Sequence, residues 1–396
     1  MSKRDQNQPM CVILSGGQAT RMRPISLLRS KSMLPFLGQP LLSYLLAQLR
    51  AASLTDVVVT DRGLNGDIQR HFQEGEDYGM SLSYAPPAKW HGTAGTVLSL
   101  IRVYESLTDH TVVVIYGDSL LRMDFSALID FHRAKRSKFT IAYHRPRLDR
   151  FLFEGDPNDQ PRTNFGVMQL RSDDRVTRFE EKPHLHRIPL EFTNPVASAA
   201  VYVLEPTVFR EVPRFDTLDF GFDLIPWLIE RSMPVYGFDI LPGHRIDIGT
   251  LSHYCTAQLA VLEGKINLAR DAAFGTAGVQ IHHGAVVHPT ARLVPPVFVA
   301  EGVEIEESAM VENSIIGEGT HIGPLSQVRN SVVLEGVLVG ARAIVDGSIL
   351  AEHCVVSPDA NVSPGTAVGA WSRIGGGTFI LPEDAQHGLF YEGEYR

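Results

Sequence analysis

From Val297 to Gly369 one aliphatic residue returns at every sixth position, and no other feature of the chain constrains its fold as strongly. Val299, Ile305 and Val311 are six apart, as are Ile316, Ile322 and Val328, then Val333, Val339 and Val345. Small or turn residues (Gly302, Gly317, Gly323, Gly340) stand beside them. A period of six with one inward aliphatic per repeat fits a hexapeptide β-helix, each face of a triangular coil contributing one core residue. The register slips by one residue near 311–316 and 328–333, which predicts corners or bulges there.

Up to about residue 260 the pattern is different. "CVILSGG", "DVVVTD", "HTVVVIYGD" and "KFTIAYHRP" are short apolar runs ending in turn residues, as buried parallel strands are. Between them "PLLSYLLAQLRAAS" and "GTAGTVLSLIRVYESL" carry apolar residues at helical spacing. Strand and helix alternating in this way predict an α/β unit with a mainly parallel sheet, whose ligands bind beyond the carboxyl ends of the strands. Both "LSGGQ" and "YGDS" fall at such ends. A chain of 396 residues is too long for one core, and the change of pattern predicts domains at 1–262 and 275–396. The helical stretch "LSHYCTAQLAVLEGKINL" lies between them and is expected to pack against the sheet.

A net charge of -9 argues against a general nucleic-acid binder but leaves room for a small anionic substrate held by a few local cations. Cys11, Cys255 and Cys354 are far apart and match no zinc or CxxC spacing, so reduced thiols are expected. The polar leader, the lack of a run long enough to span a bilayer and the thiols together predict a soluble, cytoplasmic protein without a membrane role.

"ILSGGQATRMRP" opens the candidate chemistry. Gly16 and Gly17 after a strand let backbone N–H groups approach a phosphate, and Arg21 could pair with its oxygens; a plain Gly-rich turn reads equally well. Lys31 follows ten residues on and is either a phosphate partner or a solvated loop lysine. Asp118, directly after a β-branched strand, suits either Mg²⁺ beside phosphates or a turn. Asp247 is a second such acid, and Glu180, Glu181 and Lys182 close a β-like run before Pro183.

Taken in order, these segments resemble the sugar-1-phosphate nucleotidyltransferases, the nucleoside-diphosphate-sugar pyrophosphorylases. The matching text is "GGQATRMRPIS…RSKSM", "HGTAGT", Gly117-Asp118, Phe165-Gly166-Val167, Phe179 to Pro183, "LDFGFDLIP" and "DIGT". The resemblance covers about residues 10–260, and the coil behind it matches long members such as GDP-mannose and ADP-glucose pyrophosphorylases. It implies a Rossmann-like sheet followed by a left-handed parallel β-helix. It also implies an NTP and a sugar 1-phosphate as substrates, mannose-type and guanylyl at best guess, with adenylyl or thymidylyl transfer to glucose 1-phosphate as alternatives. By the same resemblance Leu14, Gly16, Gly17, Gly92 and Thr93 would bind the nucleotide. Arg21, Lys31, Asp118 and Lys182 would be catalytic, with Asp118 and Asp247 holding Mg²⁺. Gly166, Glu181, Lys182 and Ser198 would bind the sugar phosphate. The coil would join copies into a homo-oligomer.

Two positions depart from the family's pattern. Ala19 replaces a glycine, which requires negative φ or a shifted loop. Ser198-Ala199-Ala200 replaces a triplet that usually supplies an asparagine to the sugar. These changes leave a non-catalytic subunit of the same design as a rival reading. Another rival makes the coil an acyltransferase using His282, His283, His288, His321 or His353. The segment 147–164 is longer than the family needs and is expected to be a lid or a plain surface excursion.

Overall fold

The computed structural model describes residues 8–17, 19–61, 66–85, 92–145, 162–210, 212, 217–266, 268 and 278–382. The segment 147–164 lies outside the described residues except for its last three.

The apolar runs become strands because they can be buried on both faces. β1 (Met10–Ser15) is buried at every position and lies between two parallel partners, β2 (Asp56–Asp61) and β4 (Val112–Tyr116). β3 (Ser81–Ala85) adds to β2 in parallel. The helices α1 (Leu41–Ala51) and α2 (Gly92–Val103) follow the predicted helical spacing. Next come the short β5 (Ser119–Arg122), then β6 (Phe139–His144), β7 (Gly166–Leu170), β8 (Val176–Glu181), β9 (Val196–Leu204) and β10 (Val235–Asp239). The 9-stranded sheet runs β8-β7-β9-β4-β1-β2-β3, with β6 on β9 and β10 on β6. Its β3-β2-β1-β4 part is parallel, while β9 runs antiparallel to β4, β6 and β7.

Two consequences position the site. β1 and β4 end side by side, so Ser15-Gly16-Gly17 and Gly117-Asp118 emerge at one edge, where Gly117 N–H donates to the Leu14 carbonyl at 3.0 Å. β11 (His244–Asp247) pairs antiparallel with β5 and sets Asp247 opposite Ser119, the residue after Asp118.

The carboxyl-terminal strands form a left-handed parallel β-helix. The inward aliphatics predicted from the register, Val299 to Val345, are all buried. Strands at the coil's centre pair 17 residues apart (Gln327 with Ile344), while those at its ends pair 18 apart (Arg292 with Met310, Asn361 with Phe379). The register slips are therefore shortened turns. Asn313, Asn330 and Gly347 take left-handed φ of 47°, 51° and 52° at these places, each followed by a buried serine. Ser331 N–H donates to Ser314 Oγ and Ser348 N–H to Ser331 Oγ, both at 3.1 Å, so polar groups inside the shortened corner are satisfied.

The helix α3 (Leu251–Leu262) packs differently from expectation. Its Tyr254, Ala257 and Val261 join a core with Phe36, Leu37 and the coil residues Val297 and Val299, rather than with the central strands. Gln258 Oε1 accepts from Leu37 N–H at 3.0 Å, and the Tyr254 hydroxyl donates to the Pro35 carbonyl. The helix is thus a wedge between the coil and the segment leading from Lys31 to α1. No described helix is long and apolar enough to cross a membrane.

Candidate active site

The loop after β1 lines a cavity of about 470 Å³. Of the predicted residues, Leu14, Gly16, Gly17, Arg21, Lys31, Gly92, Thr93 and Asp118 face it. Lys31 is nearly buried and places Nζ 3.1 Å from Asp118 Oδ2, whose side chain is 40% exposed. Burial pushes the Asp118 carboxyl up, but the Lys31 ammonium and Arg245 outweigh it and hold the group below its usual 3.8. Ser32 fixes this floor by donating to the Gly117 carbonyl at 2.8 Å and bonding to Ser15 Oγ. The opposite wall starts at Gly92, whose φ of +79° and 2.5 Å clearance from the Leu218 carbonyl leave no room for a Cβ.

Asp219, which is not among the site residues expected from the sequence, also lines this cavity. Its carboxylate accepts from Thr93 Oγ1 at 2.7 Å and from Gly221 N–H at 2.8 Å, tying the wall to the turn after it. The available signal was positional: an acid two residues before Gly221, at the start of a helical run, is a side-chain cap.

Ala19 has φ 47° and ψ 37°, so of the two ways open to an alanine here the loop does not take the one with negative φ. Its carbonyl accepts from Met22 N–H at 2.9 Å and from Ser26 Oγ at 2.8 Å, and this turn holds the alanine in the left-handed region. Such a conformation costs an L-residue roughly 1–2 kcal/mol. Replacing Ala19 by Gly is expected to stabilise the chain by about 0.5–1 kcal/mol, after the greater freedom of glycine when unfolded is deducted. A lower unfolding midpoint in that variant would contradict the strain.

The remaining predicted residues lie on or beside β7, β8, β9 and β11. Gly166 sits opposite Glu181 in the β7–β8 ladder. A Cβ on Gly166 would meet Glu181 Oε2 at 2.8 Å, and one on Gly221 would meet it at 2.3 Å. Two glycines therefore make room for one carboxyl. Burial pushes that carboxyl up to about 7, with Lys182 pulling against it and Asp219 adding to it. Lys182 has φ 49° and its N–H donates to the Phe165 carbonyl at 3.3 Å. Ser198 is buried where β9 bulges; its Oγ accepts from Ala200 N–H at 3.2 Å, and Ala200 has φ 57°. The strand therefore leaves its ladder at the triplet that departs from the family's pattern. Asp247 is placed by its backbone beside Ser119. No group of three or more His, Cys, Asp or Glu that could hold a metal occurs among the described residues.

The candidate histidines of the coil have local partners instead: His321 pairs with Glu306 at 2.7 Å, His353 stacks on Trp371 at 4.2 Å and His288 bonds Thr290.

The nucleotidyl transferase family profile matches residues 10–264. The chain belongs to that family. A second profile, the GMPPB C-terminal domain, matches residues 276–362. Among characterised relatives, the mannose-1-phosphate guanylyltransferase of Mycobacterium tuberculosis is 29% identical over 78% of this chain and 80% of its own length. The UTP–glucose-1-phosphate uridylyltransferase of Synechocystis is 27% identical over 64% of each chain. The glucose-1-phosphate adenylyltransferase 2 of Vibrio parahaemolyticus is 26% identical over 64% of this chain and 67% of its own. Members of one nucleotidyl transferase family thus carry guanylyl, uridylyl and adenylyl names at similar distances from this chain.

Proposed function

We propose that this nucleotidyl transferase joins the nucleoside monophosphate of an NTP to a sugar 1-phosphate and releases pyrophosphate, with GTP and mannose 1-phosphate as its pair. The observation that carries the reading is the Lys31–Asp118 pair, which faces the glycine-loop cavity. In-line attack of a sugar phosphate oxygen on the α-phosphorus needs a cation and a metal-binding acid beside the phosphates. Gly16 and Gly17 would cradle the NTP, with Leu14, Gly92 and Thr93 around the nucleoside. Arg21 and Lys31 would offset charge on the phosphates. Gly166, Glu181, Lys182 and Ser198 would hold the sugar phosphate.

Asp118, whose carboxylate is exposed and faces the cavity, and Asp247, whose backbone pairs with Ser119, are hard oxygen donors of the kind that suits Mg²⁺. When bound, Mg²⁺ would supply charge neutralisation between nucleotide and sugar phosphates. We further place the protein in the cytoplasm, which the three free thiols support. Exposed Leu325, Leu338, Trp371 and Phe379 on the coil support a homo-oligomer formed through it.

Glu181 supplies a pH test. If its ionised carboxylate accepts from sugar hydroxyls, the KM for the sugar phosphate rises as pH falls below about 7, and Glu181→Gln flattens that rise. The same elevated value makes ionisation unfavourable in the folded chain. Stability from this group is therefore greatest below the usual 4.5 and declines as pH climbs through about 7. A KM independent of pH between 6 and 8 would remove Glu181 from the sugar contact.

The substrate assignment is tested by pyrophosphate release from four NTPs against mannose and glucose 1-phosphates. GTP with mannose 1-phosphate should give the largest kcat/KM. A preference for ATP or dTTP with glucose 1-phosphate would replace the pair, and no release from any combination would indicate a non-catalytic subunit.

A further inference from the structure

Arg245 is a cation that the roles above leave unused. It lies in β11, two residues before Asp247. Its Nη2 donates to Ser119 Oγ at 3.2 Å, while its Nε is buried and has no hydrogen-bond partner. The bond to Ser119 holds the guanidinium beside the residue that follows Asp118, and its charge also reaches Glu181 and Tyr202, lowering the titration of each.

A second polar atom there is also unsatisfied. His144 Nε2, at the end of β6, is buried without a partner, and its ring meets Phe165 edge-on at 6.0 Å. Burial, then Arg245, pushes its pKa down to about 4, so the neutral ring can share a hydrogen bond with a sugar hydroxyl. Two orphaned groups from different strands, beside a carboxyl for which two glycines make room, describe a cradle for a polar, negatively charged ligand. A guanidinium that served only to tie down Ser119 would have no reason to leave Nε buried and unpaired.

We infer that Arg245 binds an oxyanion of the sugar acceptor, either its 1-phosphate or a carboxylate on its ring. This rests on the nucleotidyltransferase reading above. It adds a positioning residue that the motifs do not contain.

The test compares wild type, Arg245→Gln and Arg245→Lys with mannose 1-phosphate, glucose 1-phosphate and glucuronate 1-phosphate, together with calorimetric titration of the same compounds. Losing a charged hydrogen bond should raise the acceptor KM roughly 10–100-fold in Arg245→Gln while the NTP KM is unchanged. Arg245→Lys, which keeps the charge and a donor for Ser119, should recover part of the loss and covers a folding defect in the glutamine variant. A rise for all three acceptors assigns the oxyanion to the 1-phosphate, and a rise for glucuronate 1-phosphate alone assigns it to the ring carboxylate. An unchanged acceptor KM, or equal rises in acceptor and NTP KM, overturns the inference. If the wild type binds these sugar phosphates without turnover and Arg245→Gln abolishes the binding, only the catalytic reading falls. If the wild type neither turns them over nor binds them, both fall.

Discussion

Asp118→Asn is expected to lower kcat roughly 10³-fold, about 4 kcal/mol of transition-state stabilisation, while the chain stays folded. The substitution keeps the size of the side chain but removes the charge that would hold Mg²⁺ beside the phosphates. Its stability cost should be moderate, about 1–2 kcal/mol: the Asp118 side chain is 40% exposed and the amide still accepts a hydrogen bond, but the nearly buried Lys31 loses its counter-charge. The depressed carboxyl value means that the contribution of the Lys31 pair is present above the usual 3.8 and is lost as pH falls through the folded value. Steady-state kinetics and an unfolding curve on the same sample separate the two effects. Activity within tenfold of wild type would overturn the metal assignment.

Arg29→Met should have the opposite profile: a large loss of stability and a modest loss of rate. Arg29 reaches from the segment before Lys31 to the coil, where its Nη2 pairs with Glu335 and its Nε donates to Glu352 Oε1 at 3.2 Å. The Glu352 side chain is only 5% exposed, and its second oxygen is already unpartnered. Burial works against the Arg29 charge, yet the two carboxylates raise its pKa on balance. Removing one partner of such a buried pair leaves an uncompensated charge and typically costs about 3 kcal/mol or more. Adding Glu352→Gln to Arg29→Met should restore part of the loss, since the stranded charge goes with it. An unfolding midpoint unchanged in the single variant would refute the role of this strut. A few-fold fall in kcat should accompany the instability. Lys31 follows two residues later, and its neighbour Ser30 is held from the other side by Asp67 Oδ2 at 2.6 Å.

Much of the catalytic half was legible because each signal was local. Apolar runs ending in glycine or aspartate become parallel strands, and parallel strands deliver their carboxyl ends to one edge. Leu14, Gly16, Lys31 and Asp118 therefore arrive together once β1 and β4 pair. What was missed is what has no local signal. Arg245 meets Ser119 across 126 residues, and Arg29 meets Glu335 and Glu352 across 306 and 323. The packing of α3 was misjudged because its apolar face fits a sheet or a coil equally well. Only the position of Phe36 and Leu37 beside it decides between them.

The sequence by itself determined the two architectures, the coil with the places where its register slips and the family of the amino-terminal half. Periodicity and motif order are properties of neighbouring residues, and burial enforces them wherever the chain lies. Tertiary structure decided how these parts meet. It gave Ala19 a left-handed backbone through the bonds its carbonyl accepts, and it tied Arg245 to Ser119 while leaving its buried Nε without a partner. It also tied the lysine loop to the coil through Arg29. Each of these depends on groups brought together from distant segments, where geometry and desolvation set the energy and residue type alone does not.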